Sequence, residues 1–206
     1  MIPGKSNNYI IILYDKIISV GKTSLLNQYV KNQFSLQYKA TVGADFLTKQ
    51  IQKDDAIVNL QIWDTAGSER YHSIGSNFYR NSESCVLVFD LTNIDSFKNV
   101  EVWRKEFLEN LNPPDANNYP FVLLGNKNDM KEEIKIKDEE IQQYCKEHND
   151  MPYFCVSAKN NDNVEDSFNK VADLAYTRHI QNDEMPLPDI KPIQVQKIPE
   201  QKKGCC

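Results

Sequence analysis

The chain has 206 residues, 40% hydrophobic and 26% charged, enough for one domain with a proper core plus a modest tail. Its net charge of −5 argues against a general nucleic-acid binder. The longest apolar run, Tyr9 to Tyr14, is far short of the roughly 18–20 residues of a spanning helix, and Met1-Ile2-Pro3-Gly4-Lys5-Ser6 lacks the apolar core of a secretion signal. A soluble intracellular domain is expected.

In chain order, a strand is predicted near 9–14. Gly21-Lys22-Thr23-Ser24 follows and opens a helical stretch over 22–31. That sequence reads as the end of a phosphate-binding loop: backbone N–H groups and a helix N-terminus face an anion, the lysine adds charge, and the threonine holds Mg²⁺. Strands near 45–53 and 57–63, separated by Asp54-Asp55, form an antiparallel hairpin. The second of them ends in Trp63-Asp64-Thr65-Ala66-Gly67. An aspartate at a strand tip opposite the loop lysine suits a Mg²⁺ site, though it would serve equally as a turn or cap residue.

A strand over 84–90 leads to a helical segment 95–111, with Phe97, Val100, Trp103, Phe107 and Leu111 at steps of three and four before Pro113-Pro114 stops it. The strand near 120–125 ends in Asn126-Lys127-Asn128-Asp129, and that near 152–157 in Ser157-Ala158-Lys159. A carboxylate there can accept from both N1–H and the 2-amino group of guanine. Adenine offers neither donor, so Asp129 would set the base. Helices are predicted over 138–148, behind an Asp138 cap, and over 163–177. Strands alternating with helices imply a mostly parallel sheet covered on both faces, with ligands beyond the carboxyl ends of the strands. Residues 181–206, broken by Pro186, Pro188, Pro192 and Pro199, read as an extended linker beyond a domain over 1–180. Cys85, Cys145 and Cys155 match no zinc spacing and read as reduced core or semi-buried thiols.

These motifs, in this order, resemble the small GTPases, and within them the Rab family. Gln37 through Lys49, Val86-Leu87-Val88-Phe89-Asp90-Leu91-Thr92 and Val102 through Leu108 look most like its Rab-seven branch, that of late endosomes and lysosomes. The resemblance implies the P-loop GTPase fold: α/β, six strands with one antiparallel, helices on both faces. It implies a GTP/GDP switch of vesicle traffic with Mg²⁺. Ser19, Val20, Gly21, Lys22, Thr23 and Ser24 would line the phosphates. Thr23, Thr41 and Asp64 would serve the metal, Phe34 and Tyr38 the nucleoside side, and Gly67 the γ-phosphate. Asn126, Lys127, Asp129, Ser157, Ala158 and Lys159 would hold guanine. Phe46, Trp63 and Phe78 match the triad that effectors read, although three core aromatics would look the same.

Two departures stand out. The pattern G-x-x-x-x-G-K-[ST] requires glycine where Lys16 stands, and Tyr14-Asp15-Lys16-Ile17-Ile18-Ser19-Val20 is two residues longer and two glycines poorer than the family's loop. The stretch is either a true divergence, which should distort or fill the cradle, or a misplaced exon boundary. The second departure is Ser68, where the family has the glutamine that orients the attacking water. Catalysis here is largely positioning, so slow intrinsic hydrolysis and a bias to the GTP state are expected. An activator that supplies a glutamine could still speed turnover, and Ser68 would matter little if the protein cycles mainly by exchange and extraction.

Cys205-Cys206 at the terminus resembles the doubly prenylated end of Rab proteins; two chains suit stable anchoring, and Lys202-Lys203 adds attraction to anionic lipid. The implied partners are an exchange factor, a GTPase-activating protein, a GDP-dissociation inhibitor, a Rab escort protein and effectors, with no nucleic acid. The implied location is the cytoplasmic face of endosomal and lysosomal membranes, cycling with cytosol. A different class of reading is a membrane-tethered interaction protein that binds nucleotide poorly and hydrolyses none. A P-loop kinase or ATPase is disfavoured by Asn126-Lys127-Asn128-Asp129.

Overall fold

The computed structural model describes residues 7–14, 19–37, 39–41, 44–53, 56–65 and 81–184. Strand β1 (Asn7–Tyr14) leads to helix α1 (Lys22–Lys31), then β2 (Ala44–Lys53), β3 (Ala56–Thr65) and β4 (Ser82–Asp90). Helices α2 (Ile94–Lys98) and α3 (Val100–Leu111) follow, then β5 (Phe121–Asn126), α4 (Asp138–Glu147), β6 (Tyr153–Cys155) and α5 (Val164–Glu184). The sheet has six strands in the order β2-β3-β1-β4-β5-β6. Only β2 runs antiparallel, paired with β3 from Ala44↔Thr65 to Lys53↔Ala56. The expected α/β fold and the expected hairpin are both present.

Period-two alternation in β1 divides the core. Ile11 and Leu13 face Leu25, Leu26 and Tyr29 of α1 and Phe168, Val171 and Ala175 of α5. Ile12 and Tyr14 face Val100, Trp103 and Phe107 of α3 and Ile141 and Cys145 of α4. Both faces are therefore covered, and each fully buried large apolar side chain stabilises by about 1.5–3 kcal/mol. On the first face Tyr29 stacks on Phe168 with ring centroids 4.2 Å apart. Edge strand β2 turns Lys49 and Lys53 inward, where they meet Glu165 and Asp173 of α5. Charges so placed blunt an open edge.

The structure corrects three local expectations. The helix predicted over 95–111 is two helices, broken at Asn99. There the side-chain amide donates to the Asp95 carbonyl at 2.7 Å, competing with the helical ladder. Asp138 is the first residue of α4 rather than its cap; Lys137 occupies that position without a side-chain bond. Asp138, Glu139 and Glu140 instead favour the helix through its N-terminal dipole. Helix α5 continues to Glu184, beyond the predicted helix end at 177 and the expected start of the tail. The prolines of the tail lie outside the described residues.

The chain passes from β1 to β3 on one side and to β4 on the other, so its order reverses about β1. In sheets of this kind ligands bind beyond the carboxyl ends of the strands at such a reversal, and the described segments after β1, β5 and β6 carry motifs at those ends.

Candidate functional site

Gly21 sits just before α1 with φ +95°, a left-handed conformation that favours glycine. Space imposes the same choice, because a Cβ there would lie 2.4 Å from Asn126 Nδ2. That amide donates to the Val20 carbonyl at 2.8 Å, and its oxygen accepts from Ala158 N–H at 3.2 Å. One buried side chain at the end of β5 thus ties the start of α1 to the loop after β6. Helix α1 has no side-chain cap and no acid in its first turn, leaving an electropositive N-terminus suited to an anion. Lys22, nearly fully buried, belongs to that turn.

Ser19 also has positive φ, at 78°, without glycine's freedom. It is exposed, and it stands where the family loop has the second glycine that this chain lacks. The backbone therefore keeps a glycine-like geometry there at the cost of strain. Lys16, Ile17 and Ile18, on which the expected distortion depends, lie outside the described residues.

Across the crevice, Thr23 Oγ1 donates to Asp64 Oδ2 at 2.5 Å and lies 2.9 Å from Thr41 Oγ1, which is itself 3.4 Å from the same carboxylate oxygen. Asp64 Oδ1 is buried with no hydrogen-bond partner among the described residues. Burial pushes this carboxyl above its ordinary range, opposed by the Thr23 hydroxyl, the Lys22 charge and Thr41. A buried orphan carboxylate oxygen beside two hydroxyls is a hard, all-oxygen donor set. It fits Mg²⁺, which takes few protein ligands and completes its shell with water and phosphate.

The base-side motifs also converge. Asp129 accepts from Ser157 Oγ at 2.7 Å, with Lys159 Nζ 3.7 Å from its other oxygen. Ser157 Oγ accepts in turn from Asn160 N–H at 3.1 Å. Lys127 has φ +67° and its Nζ lies 2.6 Å from Asp90 Oδ2. Asp90 was quoted in the sequence only as part of a resemblance. Only the sheet register, Asp90 beside Asn126, brings it to Lys127, and no sequence motif marks it.

Phe46 and Trp63 stack at 4.9 Å across the β2–β3 pair. Phe46 is 46% exposed, whereas a core aromatic would be covered. On the segment after α1, Phe34 and Leu36 are also exposed, Leu36 almost fully. Ser24 lies half-buried in the first turn of α1. Cys85 and Cys145 are buried and Cys155 half-buried, all as free thiols. Tyr38, Gly67, Ser68, Phe78, Cys205 and Cys206 lie outside the described residues.

The Ras family model matches residues 10–177. Rab-7a of Paramecium octaurelia is 47% identical over 199 residues, covering 96% of this chain and 95% of its own. Rab7 of Drosophila melanogaster is 51% identical over 168 residues, covering 82% and 80%. The chain belongs to the Rab branch of the Ras family. Arabidopsis thaliana RABG3b, 46% identical over 95% of this chain and 94% of its own, extends the similarity to plants. The sequence-level resemblance to Rab-seven proteins is thereby shown. In this Rab, the observed sheet with one antiparallel strand is that of the family's GTPase domain.

Proposed function

We propose that this protein is a membrane-anchored GTP/GDP switch of vesicle traffic at late endosomes and lysosomes, with slow intrinsic GTP hydrolysis. One observation supports the reading most: the Asn126 side chain bonds both Val20 and Ala158, tying together the loops read here as the phosphate and base sides. Loops tied in this way can discriminate the base while holding the phosphates.

In this reading the N-terminus of α1 and Lys22 hold the phosphates, and Gly21 lets the backbone approach them. Thr23, Thr41 and Asp64 hold Mg²⁺. When bound, the ion supplies positive charge against the phosphate oxygens. Asp129, kept in place by Ser157, accepts from the guanine edge, and Lys127 lies along the ring. Thr41 lies on the segment before β2, and its hydroxyl reaches the Thr23–Asp64 pair. Loss of the γ-phosphate would therefore loosen that segment, on which Phe34 and Leu36 are exposed. Gly67 would donate its N–H to the γ-phosphate. Ser68 is too short to hold a water where a glutamine would, which underlies the slow rate.

Location follows the Rab7 relatives. The tail cysteines, Cys205 and Cys206, are taken as prenylated. Among the described residues no helix is long and apolar enough to cross a membrane, and in this reading two lipid chains on the tail cysteines supply the anchor. Exchange factor, activating protein, dissociation inhibitor, escort protein and effectors are the partners such a cycle requires.

The experiment is single-turnover GTP hydrolysis by the full chain and by Ser68→Gln. The substitution should raise the intrinsic rate by about tenfold or more by restoring water positioning. Equal rates would remove Ser68 from the explanation. A folded chain that takes up no guanine nucleotide would favour the tethered interaction protein instead.

A further inference from the structure

We infer that Asp90 is a positioning residue for the base site, holding Lys127 in the conformation that grips guanine. The inference rests on the base-site reading above and extends it to a residue outside the motif. Asp90 is the last residue of β4 and is 6% exposed. Its two oxygens have separate tasks. Oδ1 accepts from Thr92 N–H at 2.8 Å and from Thr92 Oγ1 at 2.7 Å, which fixes the carboxylate from its own turn. Oδ2 is left for Lys127 Nζ, at 2.6 Å.

The backbone around the pair is fastened as well. Asp90 N–H donates to Ser96 Oγ at 2.9 Å, and Leu91 N–H to the Asn126 carbonyl at 3.0 Å. Ser96 is fully buried in α2. Asp90 therefore cannot follow Lys127 if the lysine swings; the lysine must come to it.

Lys127 needs such an anchor. It occupies the left-handed region at φ +67°, and its side chain is 32% exposed. An unpaired lysine so placed would spread its four-carbon stem over many rotamers, and that freedom would be lost on binding. With the ammonium held by a buried carboxylate at 2.6 Å, the stem is confined to few rotamers before nucleotide binds, and its apolar length can serve as a strip against which a flat ring lies. The pair is thus preorganised, and its effect on nucleotide passes through Lys127.

The test is the dissociation rate of a fluorescent GDP analogue from the full chain carrying Asp90→Asn, Lys127→Met, both, or Thr92→Val. Lys127→Met and Asp90→Asn should each speed release by about tenfold, the scale of a lost hydrogen bond to a charged group. The double variant should be no faster than Lys127→Met alone, because Asp90 acts through that lysine. Thr92→Val removes one hydroxyl bond to Asp90 but leaves the ion pair, and release should change by less than about twofold. If Asp90→Asn does not fold, Asp90→Ser, which retains an acceptor for Thr92, replaces it in the same cycle. Release unchanged or slowed in Asp90→Asn with Lys127→Met fast, or multiplicative effects in the double variant, would overturn the inference. Release unchanged in Lys127→Met would overturn the base-site reading itself.

Discussion

Replacing Ser19 by glycine should make the protein more stable. At φ +78° a side chain with a Cβ carries about 1–2 kcal/mol of backbone strain, which glycine does not. Glycine also loosens the unfolded chain, at a cost of about 0.4–1 kcal/mol. Ser19 is exposed, so no packing is lost. The net gain is about 0.5–1 kcal/mol, which in a domain of this size raises the melting temperature by roughly 1–4 °C. The assay is thermal unfolding of the full chain saturated with Mg²⁺ and GDP, with Ser19→Ala as control. Alanine keeps the strain and should melt within about 1 °C of the parent. Because the strain sits one residue before Val20, whose carbonyl Asn126 holds, nucleotide release from Ser19→Gly should also slow. A melting temperature equal to or below that of the parent, with Ser19→Ala unchanged, would refute the strain argument.

Gly21→Ala should act in the opposite direction: left-handed strain of about 1–2 kcal/mol adds to the displacement of the Asn126 amide from two hydrogen bonds worth about 1 kcal/mol each. Urea titration should show a loss of about 3 kcal/mol, and a loss under 1 kcal/mol would mean that Asn126 yields freely. Glu101 supplies a pH test. Burial alone would raise its carboxyl, but hydrogen bonds from Arg104 and Tyr144 and the nearby charges of Arg104 and His148 prevail and hold it down at about 2. Its stabilising contribution is therefore present above the ordinary value near 4.5 and lost as pH falls from there toward 2. Discounted for partial exposure, it amounts to about 1–2 kcal/mol. Denaturant midpoints should fall more steeply between pH 5 and 3 for the parent than for Glu101→Gln; parallel curves would show that the pair contributes nothing. Chelating Mg²⁺ should speed nucleotide release from the parent, whereas Asp64→Ala should release fast with or without the chelator; a variant as sensitive as the parent would free Asp64 from the metal role.

Much of the fold was legible because apolar periodicity is dictated by what must be buried. The strand of Ile11, Ile12, Leu13 and Tyr14 and the hairpin flanking Asp54-Asp55 emerge as read. What pattern could not show was competition between a side chain and the backbone. Asn99 breaks a helix whose apolar spacing runs on unbroken, and Asp138 proves to be a helical residue rather than a cap. At the site, the motifs named the types of group but not their bonds. That Asn126 joins Val20 to Ala158, and that Thr41 reaches Thr23, are long-range contacts that depend on sheet order. Asp90 was hidden for a similar reason: its partner is a neighbour only across the β4–β5 register. Ser19 was read as a missing glycine, and the structure adds that its backbone stays glycine-like.

The most direct measurement is the nucleotide released on denaturing the purified full chain kept in Mg²⁺. The proposed switch predicts close to one equivalent of GDP or GTP per chain, with no adenine nucleotide. A folded chain that carries no nucleotide and takes up none when offered GTP would contradict the switch.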